Sequence, residues 1–512
     1  MTGAASVTWF ARHEARLAWR DWRVLLSGGR RRRNVTLALG FGCFVAFLHA
    51  LAYGGLARST ALLTGPPDKR MLVYVTGTLV LYFSLMLSQA MEAVTRAFYA
   101  RGDLELILTS PVPAWRVFAV RLAAMAVTIT LMSLALAAPV IDIAAWFGGL
   151  AYLQGYGVVA AMAMLSVAIA AMLTIWLFRL IGPRRTRVAA QIVAAVIGAS
   201  FVIGLQFAAI GSYGSLSRTA FLQSDAVMSR APGPGNPLYL AARAAVGDGV
   251  ALAILLVVCA AALAAAIVAY APRFGEFALA AGGASVAPGR RARRSAAFRT
   301  ASPARALRRK EWVLLLRDPW LMSQSLMQLL YLLPPIFLLY RSFYETGRAS
   351  TLLTPVLVMA AGQLAGGLAW LAISGEDAPE LIASAPVTAA RVLRAKVEAV
   401  FGAIGIVFAP FLAVLAITDP GTALATLLGI ALSAGSATLI QFWFRGQAKR
   451  AYFRRRQTSS RIATIAEALS SITWAGVGAL AAAGTLLAVI PAVIAVLILA
   501  GTWAISPTHG TG

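Results

Sequence analysis

Charged residues are scarce in this sequence, and acidic residues are the scarcest. Only 12% of the 512 residues are charged, half of the roughly 25% that is usual for soluble proteins. The 19 Asp and Glu residues are outnumbered by 45 Lys and Arg, and 60% of the chain is hydrophobic. A water-soluble core of this size has no room for so much apolar material. The composition excludes a soluble enzyme, a disordered tail and a secreted disulfide scaffold, and it indicates a polytopic membrane protein.

Cysteine and histidine are also rare. Cys43 and Cys259 lie inside long apolar runs, where we interpret them as small hydrophobic residues rather than as a disulfide or metal pair. The three histidines are too few and too scattered for a catalytic metal centre. The chain also lacks the motif G-x-x-x-x-G-K-S/T, which binds nucleotide phosphates. The sequence therefore predicts no catalytic residue, no bound cofactor and no metal in this chain.

Long apolar runs are abundant. A helix needs about 20 apolar residues to cross the hydrocarbon core, and this length predicts twelve spans. They lie near residues 35–56, 71–91, 122–141, 157–178, 188–212, 249–271, 321–340, 353–374, 398–418, 422–443, 462–482 and 484–505. Ala483 alone separates the last two spans, so a re-entrant pair stays open there. Because mostly polar residues run from Met1 to Asn34, we expect no cleavable signal peptide at the start.

The distribution of Lys and Arg predicts the orientation. A cytoplasmic N-terminus places the run Arg30–Arg33 and most of the 45 basic residues on the cytoplasmic side, as the positive-inside rule requires. Both termini are then cytoplasmic. Basic residues near anionic headgroups each contribute about 1 kcal/mol to the attraction of the protein to the membrane. The excess of basic residues with this role accounts for the sequence pI of about 11.3. We therefore expect a bilayer with anionic headgroups as the partner of these residues, and no nucleic acid.

Short segments recur in the two halves of the chain. The sequence ELILTSPVPAWRVFAVR at 105–121 matches ELIASAPVTAARVLRAK at 380–396, which aligns Arg121 with Lys396. EARLAWRD at 14–21 matches EWVLLLRD at 311–318, and RVAAQIVAA at 187–195 matches RIATIAEAL at 461–469 more weakly. Each match has the same place in the predicted topology. The pattern predicts two six-span halves in tandem, related as parallel repeats.

These observations predict the fold class and the domains. We expect an all-α polytopic membrane protein with about twelve transmembrane helices, interfacial elbow helices and short cytoplasmic coupling helices. The predicted parts are a cytoplasmic N-terminal segment with an elbow helix (1–34), a first permease half (35–272), a cytoplasmic linker (273–306) and a second half with its own elbow (307–512). The linker is rich in Ala, Arg, Gly, Ser and Pro, a composition typical of flexible segments.

The first recurring segment is too polar to cross a membrane. On a helical wheel over 9–26, four arginines (Arg12, Arg16, Arg20 and Arg23) form one stripe, which favours a helix in the headgroup plane. Simple anchoring of the N-terminus is the alternative interpretation. The candidate elbow residues are Glu14, Arg20 and Asp21, with Glu311, Arg317 and Asp318 as their counterparts.

The second recurring segment places acidic residues before a proline. Pro111 and Pro386 end a short helix in each half, and the acidic residues that lead these helices are Asp103, Glu105, Glu376, Asp377 and Glu380. Carboxylates at a helix start interact favourably with the helix dipole, which is the simpler explanation. The alternative is a rigid, negatively charged knob on the cytoplasmic face that docks a partner, and its duplication favours a symmetrical one.

These segments resemble those of membrane permeases of the ABC-exporter class, often called type-two permeases. A typical half in that family has an elbow helix, six spans, a coupling helix between spans two and three, and an external segment between spans five and six. The counterparts here are EARLAWRD, DLELILTSPV at 103–112, and the external piece 213–248, which contains NPLYLAARA at 236–244. The second half departs from the pattern, since it has almost no external segment.

The resemblance implies a permease subunit of an ATP-driven exporter in the plasma (inner) membrane of a bacterium. Two halves fused in one chain imply a pseudo-dimer, and ATP with Mg would be bound by a separate ABC ATPase subunit, as a homodimer. The implied ATPase-coupling residues are Asp103, Glu105, Leu106, Pro111, Glu376, Asp377, Glu380, Leu381 and Pro386. A pathway with few charges fits a lipid, a glycolipid or an amphipathic drug better than a small ion.

Three alternatives stay open at this point. A cation-coupled secondary transporter places ionisable groups within the membrane, and His49, Glu398 and Glu467 are its candidates. A membrane-embedded enzyme needs a metal cluster, a Ser–His pair or paired carboxylates at bilayer depth. A non-transporting scaffold needs no special residues. The pair Gly366–Gly367 in the eighth span is interpreted as close helix packing in preference to a hinge.

Overall fold

The computed structural model describes residues 34–57, 60–65, 67–99, 114–213, 224–271, 302–317, 353–374, 384–444 and 461–506, with short pieces at 9, 12–13, 15–16, 221–222, 330, 332–334, 337, 341 and 382. Helices account for 92% of this described structure, which contains no strand. Helices satisfy every backbone hydrogen bond within one segment, as a chain in lipid requires. The chain forms two compact units, Met1–Arg290 and Arg291–Gly512.

The described part of the first unit consists of long apolar helices and a few short ones. The helices are α1 (Asn34–Leu56), α2 (Thr60–Thr64), α3 (Lys69–Tyr99), α4 (Ala114–Gly148), α5 (Gly155–Tyr213), α6 (Asp225–Arg230), α7 (Leu240–Ala245) and α8 (Gly249–Tyr270). Two 3-10 turns, Leu150–Gln154 and Pro237–Tyr239, precede α5 and α7.

A backbone break divides α5 into two spans. Gly182 has φ 75° and ψ 164°, a left-handed conformation that strains any residue with a β-carbon, and Pro183 follows it. The Thr186 hydroxyl donates to the Gly182 carbonyl oxygen at 2.9 Å. The first arm of α5 and the preceding 3-10 turn make up the candidate span Leu150–Gly182, and the second arm contains Ala189–Gly211. These correspond to the predicted fourth and fifth spans.

Helix α5 is the centre of the first unit. Helices α3, α4 and α8 all pack against it. The core includes Met91 of α3, Phe118 of α4 and Ile175 of α5. Fully buried alanines in α5 let neighbouring backbones approach closely; they are Ala161, Ala163, Ala168, Ala170 and Ala171.

The described part of the second unit begins with an amphipathic helix and continues with apolar ones. The helices are α9 (Pro303–Arg317), α10 (Leu353–Ser374), α11 (Ala389–Thr418), α12 (Pro420–Trp443), α13 (Arg461–Ala482) and α14 (Val489–Ile505). Helix α10 packs against α12 and α13, which also contact each other; α9 packs on α11 and α14 on α13. In the first unit α3, the second predicted span, packs on α5, which contains the fourth and fifth. In the second unit α10, the eighth predicted span, packs on α12 and α13, the tenth and eleventh.

Tight connections join consecutive helices of the second unit. Asp419 lies between α11 and α12, and its Oδ1 accepts hydrogen bonds from the backbone N–H groups of Gly421 at 3.1 Å and Thr422 at 3.2 Å. An aspartate at this N-cap position satisfies amides that have no partner within the helix. Between α13 and α14, Gly484 adopts φ 69°, a conformation that glycine adopts without strain.

Ten helices in the described part of the chain are long and apolar enough to cross a membrane. They correspond to predicted spans two to six and eight to twelve. The first predicted span corresponds to α1, in which the apolar helical stretch Val45–Leu56 is shorter than a membrane span. Most of the seventh predicted span (321–340) lies outside the described residues. Outward-facing Trp146, Ile417 and Leu486 are 79%, 84% and 91% exposed, as lipid-facing side chains are. The prediction of an all-α polytopic membrane protein is confirmed; the number twelve and the repeat stay predictions.

Candidate functional site

Most of the predicted coupling residues lie outside the described part of the chain. These are Asp103, Glu105, Leu106, Pro111, Glu376, Asp377, Glu380 and Leu381. Pro386 is described, in a turn just before α11, where the Val387 N–H donates to the Ala385 carbonyl at 2.7 Å. The helices that flank both segments are described, namely α3 and α4 in the first unit and α10 and α11 in the second.

Part of the predicted elbow helices is described. Glu14, Arg20, Asp21 and Asp318 lie outside the described residues, whereas Arg12 and Arg16 are helical and exposed. In the second unit the predicted elbow is α9. Its Glu311 is fully buried, and Arg317 is its last residue.

A buried ion pair joins α9 to α11. Lys396 Nζ donates to Glu311 Oε1 at 3.1 Å and to Oε2 at 3.2 Å. Glu311 is 0% exposed and Lys396 is 8% exposed, so both charges are largely withdrawn from solvent. Lys310 adds a second ammonium, 3.1 Å from Glu311 Oε1. A carboxylate buried in this way is stable only with its partners in place.

Lys396 also holds the end of α10. Its ammonium group donates to the carbonyl oxygen of Ala372, in the last turn of α10, where carbonyls have no donor within the helix. Ala372 precedes the predicted coupling segment and Lys396 follows it. We call Lys310, Glu311, Ala372 and Lys396 the Lys396 cluster. It joins α9, the predicted elbow helix, to the last turn of α10 and to α11, the helices on either side of the segment 375–388.

A second, more exposed ionic contact lies beside this cluster. Glu398 of α11 accepts from Arg308 Nε at 2.6 Å and from Arg394 Nε at 2.9 Å. Trp312 packs close to the α11 backbone, because a β-carbon on Gly402 would lie 3.0 Å from its Cζ2 atom. A buried ion pair, a more exposed ion pair and an aromatic contact therefore hold α9 against α11.

The first unit shares one buried element of this arrangement. Arg121 of α4, which the sequence repeat aligns with Lys396, is 3% exposed. A buried guanidinium is rare in proteins unless it is paired. The same repeat aligns Glu14 with Glu311, and Glu14 lies outside the described residues.

An acidic residue that the sequence analysis missed joins α1, α4 and α5. Asp142 Oδ1 accepts from the Tyr156 hydroxyl at 2.7 Å, and Asp142 Oδ2 lies 3.3 Å from His49 Nε2. The predicted third span ended at residue 141, whereas α4 continues to Gly148. The sequence does contain one signal for this site, namely an acidic residue directly after a predicted span.

The three ionisable candidates for cation coupling have separate partners. His49 lies beside Asp142 in the first unit, and Glu398 pairs with arginines. Glu467 of α13 accepts a hydrogen bond from Gln441 Nε2 at 2.6 Å. Among the described contacts of the second unit, Glu398 and Glu467 therefore have no hydrogen-bond partner in common.

Residues 224–248, the described end of the predicted external segment, form short helices and turns that we call the cap. Asn236 Oδ1 accepts from the Leu238 N–H at 3.0 Å and starts the 3-10 turn. Tyr239 is buried, at 3% exposed, and its hydroxyl donates to the Pro232 carbonyl at 3.2 Å. The segment 236–244 therefore has an ordered local structure of its own.

Asp248 joins this cap to α8. Its Oδ1 accepts from the Ala251 N–H at 3.0 Å, and Arg243 Nε donates to its Oδ2 at 3.0 Å. The backbone N–H of Ala251, and next the Arg243 guanidinium, lower the pKa of the Asp248 carboxyl below its ordinary value. Both donors favour the ionised form.

Across the described residues, no three His, Cys, Asp or Glu side chains are grouped so that they can hold a metal ion. No family model, no curated protein and no solved structure matches this chain.

Proposed function

We propose that this chain is the transmembrane permease subunit of an ATP-driven ABC-type transporter, acting as an exporter with a separate ATPase subunit. The proposal rests on the sequence resemblance of the two recurring segments. The structural observation that supports it is the Lys396 cluster, which joins the helices on both sides of one predicted coupling segment to α9, the predicted elbow helix. A cytoplasmic partner that pushes on this segment would move three helices together.

The physical argument concerns rigidity. Energetic coupling between distant sites travels through packed side chains, ion pairs and rigid helices. Lys396 contacts Glu311 of α9 and Ala372 of α10, and it is itself part of α11. A force on either of the helix ends that flank 375–388 would therefore act on the buried ion pair as well. We expect the three helices to respond together, as coupling to a cytoplasmic partner requires.

The partner in this proposal is a homodimeric ABC ATPase. Each copy would bind one acidic segment, with Glu105 and Glu380 at equivalent positions, and ATP with Mg would be bound on that subunit. Both termini of the present chain would face the cytoplasm, in the plasma (inner) membrane of a bacterium. The high positive charge of the predicted cytoplasmic loops supports this orientation.

Transport would proceed by alternating opening of a pathway between the two halves of the chain. The spans carry Ala, Leu, Val, Ser and Met and few charges. Such a lining favours a lipid, a glycolipid or an amphipathic drug as substrate. Polar ions need charged or carbonyl ligands along their path.

The test is purification of the tagged chain in mild detergent, followed by an ATPase assay. We expect an ATPase to co-purify with the wild type and to be lost from the double variant Glu105→Arg/Glu380→Arg. The matched control is Asp225→Arg, because Asp225 is an exposed carboxylate whose ion pair with Arg70 is 3.8 Å long. It lies in the predicted external segment, so this variant should keep the partner.

Two outcomes would overturn the proposal. In the first, no nucleotide-hydrolysing protein co-purifies with folded wild-type chain. In the second, the partner stays bound to the double variant as firmly as to the control. Either result would favour a cation-coupled carrier or a scaffold, neither of which needs a cytoplasmic ATPase.

A further inference from the structure

The interior of the second unit contains a line of polar side chains in an otherwise apolar bundle. Thr354 of α10 and Thr426 of α12 share a hydrogen bond of 2.9 Å. Ser436 of α12 accepts from Trp474 Nε1 of α13 at 2.8 Å. We call the whole line the polar seam: Thr354, Thr426, Ser433, Ser436, Gln441, Glu467, Ser470 and Ser471. It follows the contact between α10, α12 and α13.

Two glycines of α10 let these side chains approach its backbone. A β-carbon on Gly362 would lie 2.2 Å from Ser433 Oγ and 2.4 Å from Ser471 Oγ. A β-carbon on Gly366, one turn further along, would lie 2.0 Å from Glu467 Oε1. The serine hydroxyls and the carboxylate are therefore directed at neighbouring turns of α10. From Thr354 to Gly366 the seam covers about 18 Å at 1.5 Å per residue.

Among the described contacts of Glu467, none is with a basic side chain. Its Oε2 accepts one hydrogen bond, from the neutral amide of Gln441. Helices α10, α12 and α14, which pack against α13, contain no ionisable side chain. Arg461, the other ionisable residue of α13, lies six residues away, about 9 Å along the helix. An uncompensated carboxylate within a bilayer is costly, so such residues are usually functional.

Three hydroxyl groups beside the carboxylate are also unsatisfied. Ser433, Ser470 and Ser471 are each 0% exposed, and their Oγ atoms have no hydrogen-bond partner among the described residues. Buried hydroxyls are almost always hydrogen-bonded, and each unmade bond costs about 1–3 kcal/mol. Ser470 and Ser471 follow Glu467 by three and four residues, so they lie on the same face of α13.

We propose that Glu467 is a proton-binding site inside the second unit, reached through the hydroxyl groups of Ser433, Ser470 and Ser471. The ligand is a hydrogen ion, which neutralises the carboxylate and needs no coordination shell. A metal cation would need several oxygen ligands around it, whereas this carboxylate already contacts Gly366 and Gln441. The site goes beyond the proposed transport role and does not depend on an ATPase partner.

Glu398 provides a matched comparison within the same unit. It accepts from two guanidinium groups, those of Arg308 and Arg394, and its side chain is 33% exposed, so its surroundings are not apolar. A reagent that reacts with protonated carboxyls in apolar surroundings should therefore distinguish the two glutamates in one molecule.

The experiment uses dicyclohexylcarbodiimide on the purified full chain in lipid vesicles. The reagent adds to a carboxylic acid, whose proton is transferred to its nitrogen, and the adduct rearranges to a stable N-acylurea with no leaving group. Mass spectrometry of the peptides then gives the labelled fraction at each glutamate over a pH series. We expect label on Glu467 and not on Glu398, falling about tenfold per pH unit once the carboxyl ionises. Glu467→Gln should remove the label.

Three results would overturn the proposal. In the first, Glu467 stays unlabelled at every pH, which would show that it never carries a proton. Equal labelling of Glu398 would show that burial and pairing do not distinguish the two groups. If sodium chloride in place of potassium chloride blocks labelling at constant pH, the ligand is sodium. The pH series on wild-type protein decides the question even if Glu467→Gln does not fold.

Discussion

Glu311 and Lys396, which are 85 residues apart in the sequence, form a buried ion pair with N–O distances of 3.1 Å and 3.2 Å. This pair joins α9, the predicted elbow helix, to α11, the helix after the predicted coupling segment. Its strength depends on both partners, because removal of either one leaves a largely buried charge with an ionic partner missing.

Removal of one partner of this pair should destabilise the protein strongly. We expect Lys396→Met or Glu311→Gln each to lower the free energy of unfolding by about 3–5 kcal/mol. The double variant should cost much less than the sum of the two, since neither buried charge of the pair then remains. A double-mutant cycle measured by denaturant unfolding in detergent tests this.

The exposed ionic contact beside the pair supplies the control. Arg308→Gln removes one of two guanidiniums from Glu398, and Arg308 is 56% exposed. Exposed ion pairs contribute about 0–1 kcal/mol, so this variant should unfold close to the wild type. Equal losses at Arg308 and Lys396 would contradict the assigned role of burial.

The sequence repeat makes a related prediction for the first unit. Because Glu14 and Arg121 align with Glu311 and Lys396, we expect Glu14→Gln and Arg121→Met to be non-additive, like their counterparts. Arg121 is 3% exposed, which is consistent with a costly single variant. Additive effects, measured in the same unfolding assay, would argue that the two halves are not equivalent at this position.

Substitution of the close-packed glycines in α10 should separate the helices of the polar seam. The β-carbon of Gly366→Ala would lie 2.0 Å from the Glu467 carboxylate, and overpacking of this kind costs about 1–3 kcal/mol. Gly405→Ala in α11 is the control, because nothing lies within 4 Å of its β-carbon position; it should be neutral or stabilising by about 0.5–1 kcal/mol. Thermal unfolding in detergent compares them, and Glu467→Ala should rescue Gly366→Ala.

Asp248 should make part of the stability of the first unit sensitive to acid. Its pKa is lowered below the ordinary value of 3.8, first by the Ala251 N–H and then by Arg243. A lowered carboxyl pKa contributes stability that is complete above the unfolded-state value and is lost as pH falls through the folded-state value. We expect Asp248→Asn to remove this loss below pH 3.8 and to lower stability at neutral pH.

Acid unfolding followed by circular dichroism tests the role of Asp248. Asp225→Asn is the matched control, since its side chain is 99% exposed and its ion pair is long. If the two variants unfold with the same pH profile, the hydrogen bonds of Asp248 do not carry the effect.

The limits of sequence reasoning are clearest at Asp142. An apolar window ends at the first acidic residue, and for that reason the predicted third span ended at 141. Helix α4 instead continues to Gly148, and Tyr156 and His49 lie against the carboxylate. Tyr156 is 14 residues from Asp142 and His49 is 93 residues away, on two other helices, so no periodicity predicts their meeting.

The sequence by itself determined that this chain is a bundle of membrane-spanning helices. Runs of about 20 apolar residues have one stable form in lipid, because only a helix satisfies its backbone within the segment. Local chemistry also placed helix ends, as at Asp419 and Gly182. These features depend on neighbours a few residues away.

Only the tertiary structure decided which polar side chains meet. Lys396 was visible as a counterpart of Arg121, yet its contacts with Glu311 and Ala372 depend on how α9, α10 and α11 pack. Glu467 was visible as an acidic residue near a helix start, yet its position against Gly366 of α10 depends on a glycine 101 residues earlier. Packing brings these groups together and excludes water from them. Without water, a buried charge is costly unless it is paired or hydrogen-bonded.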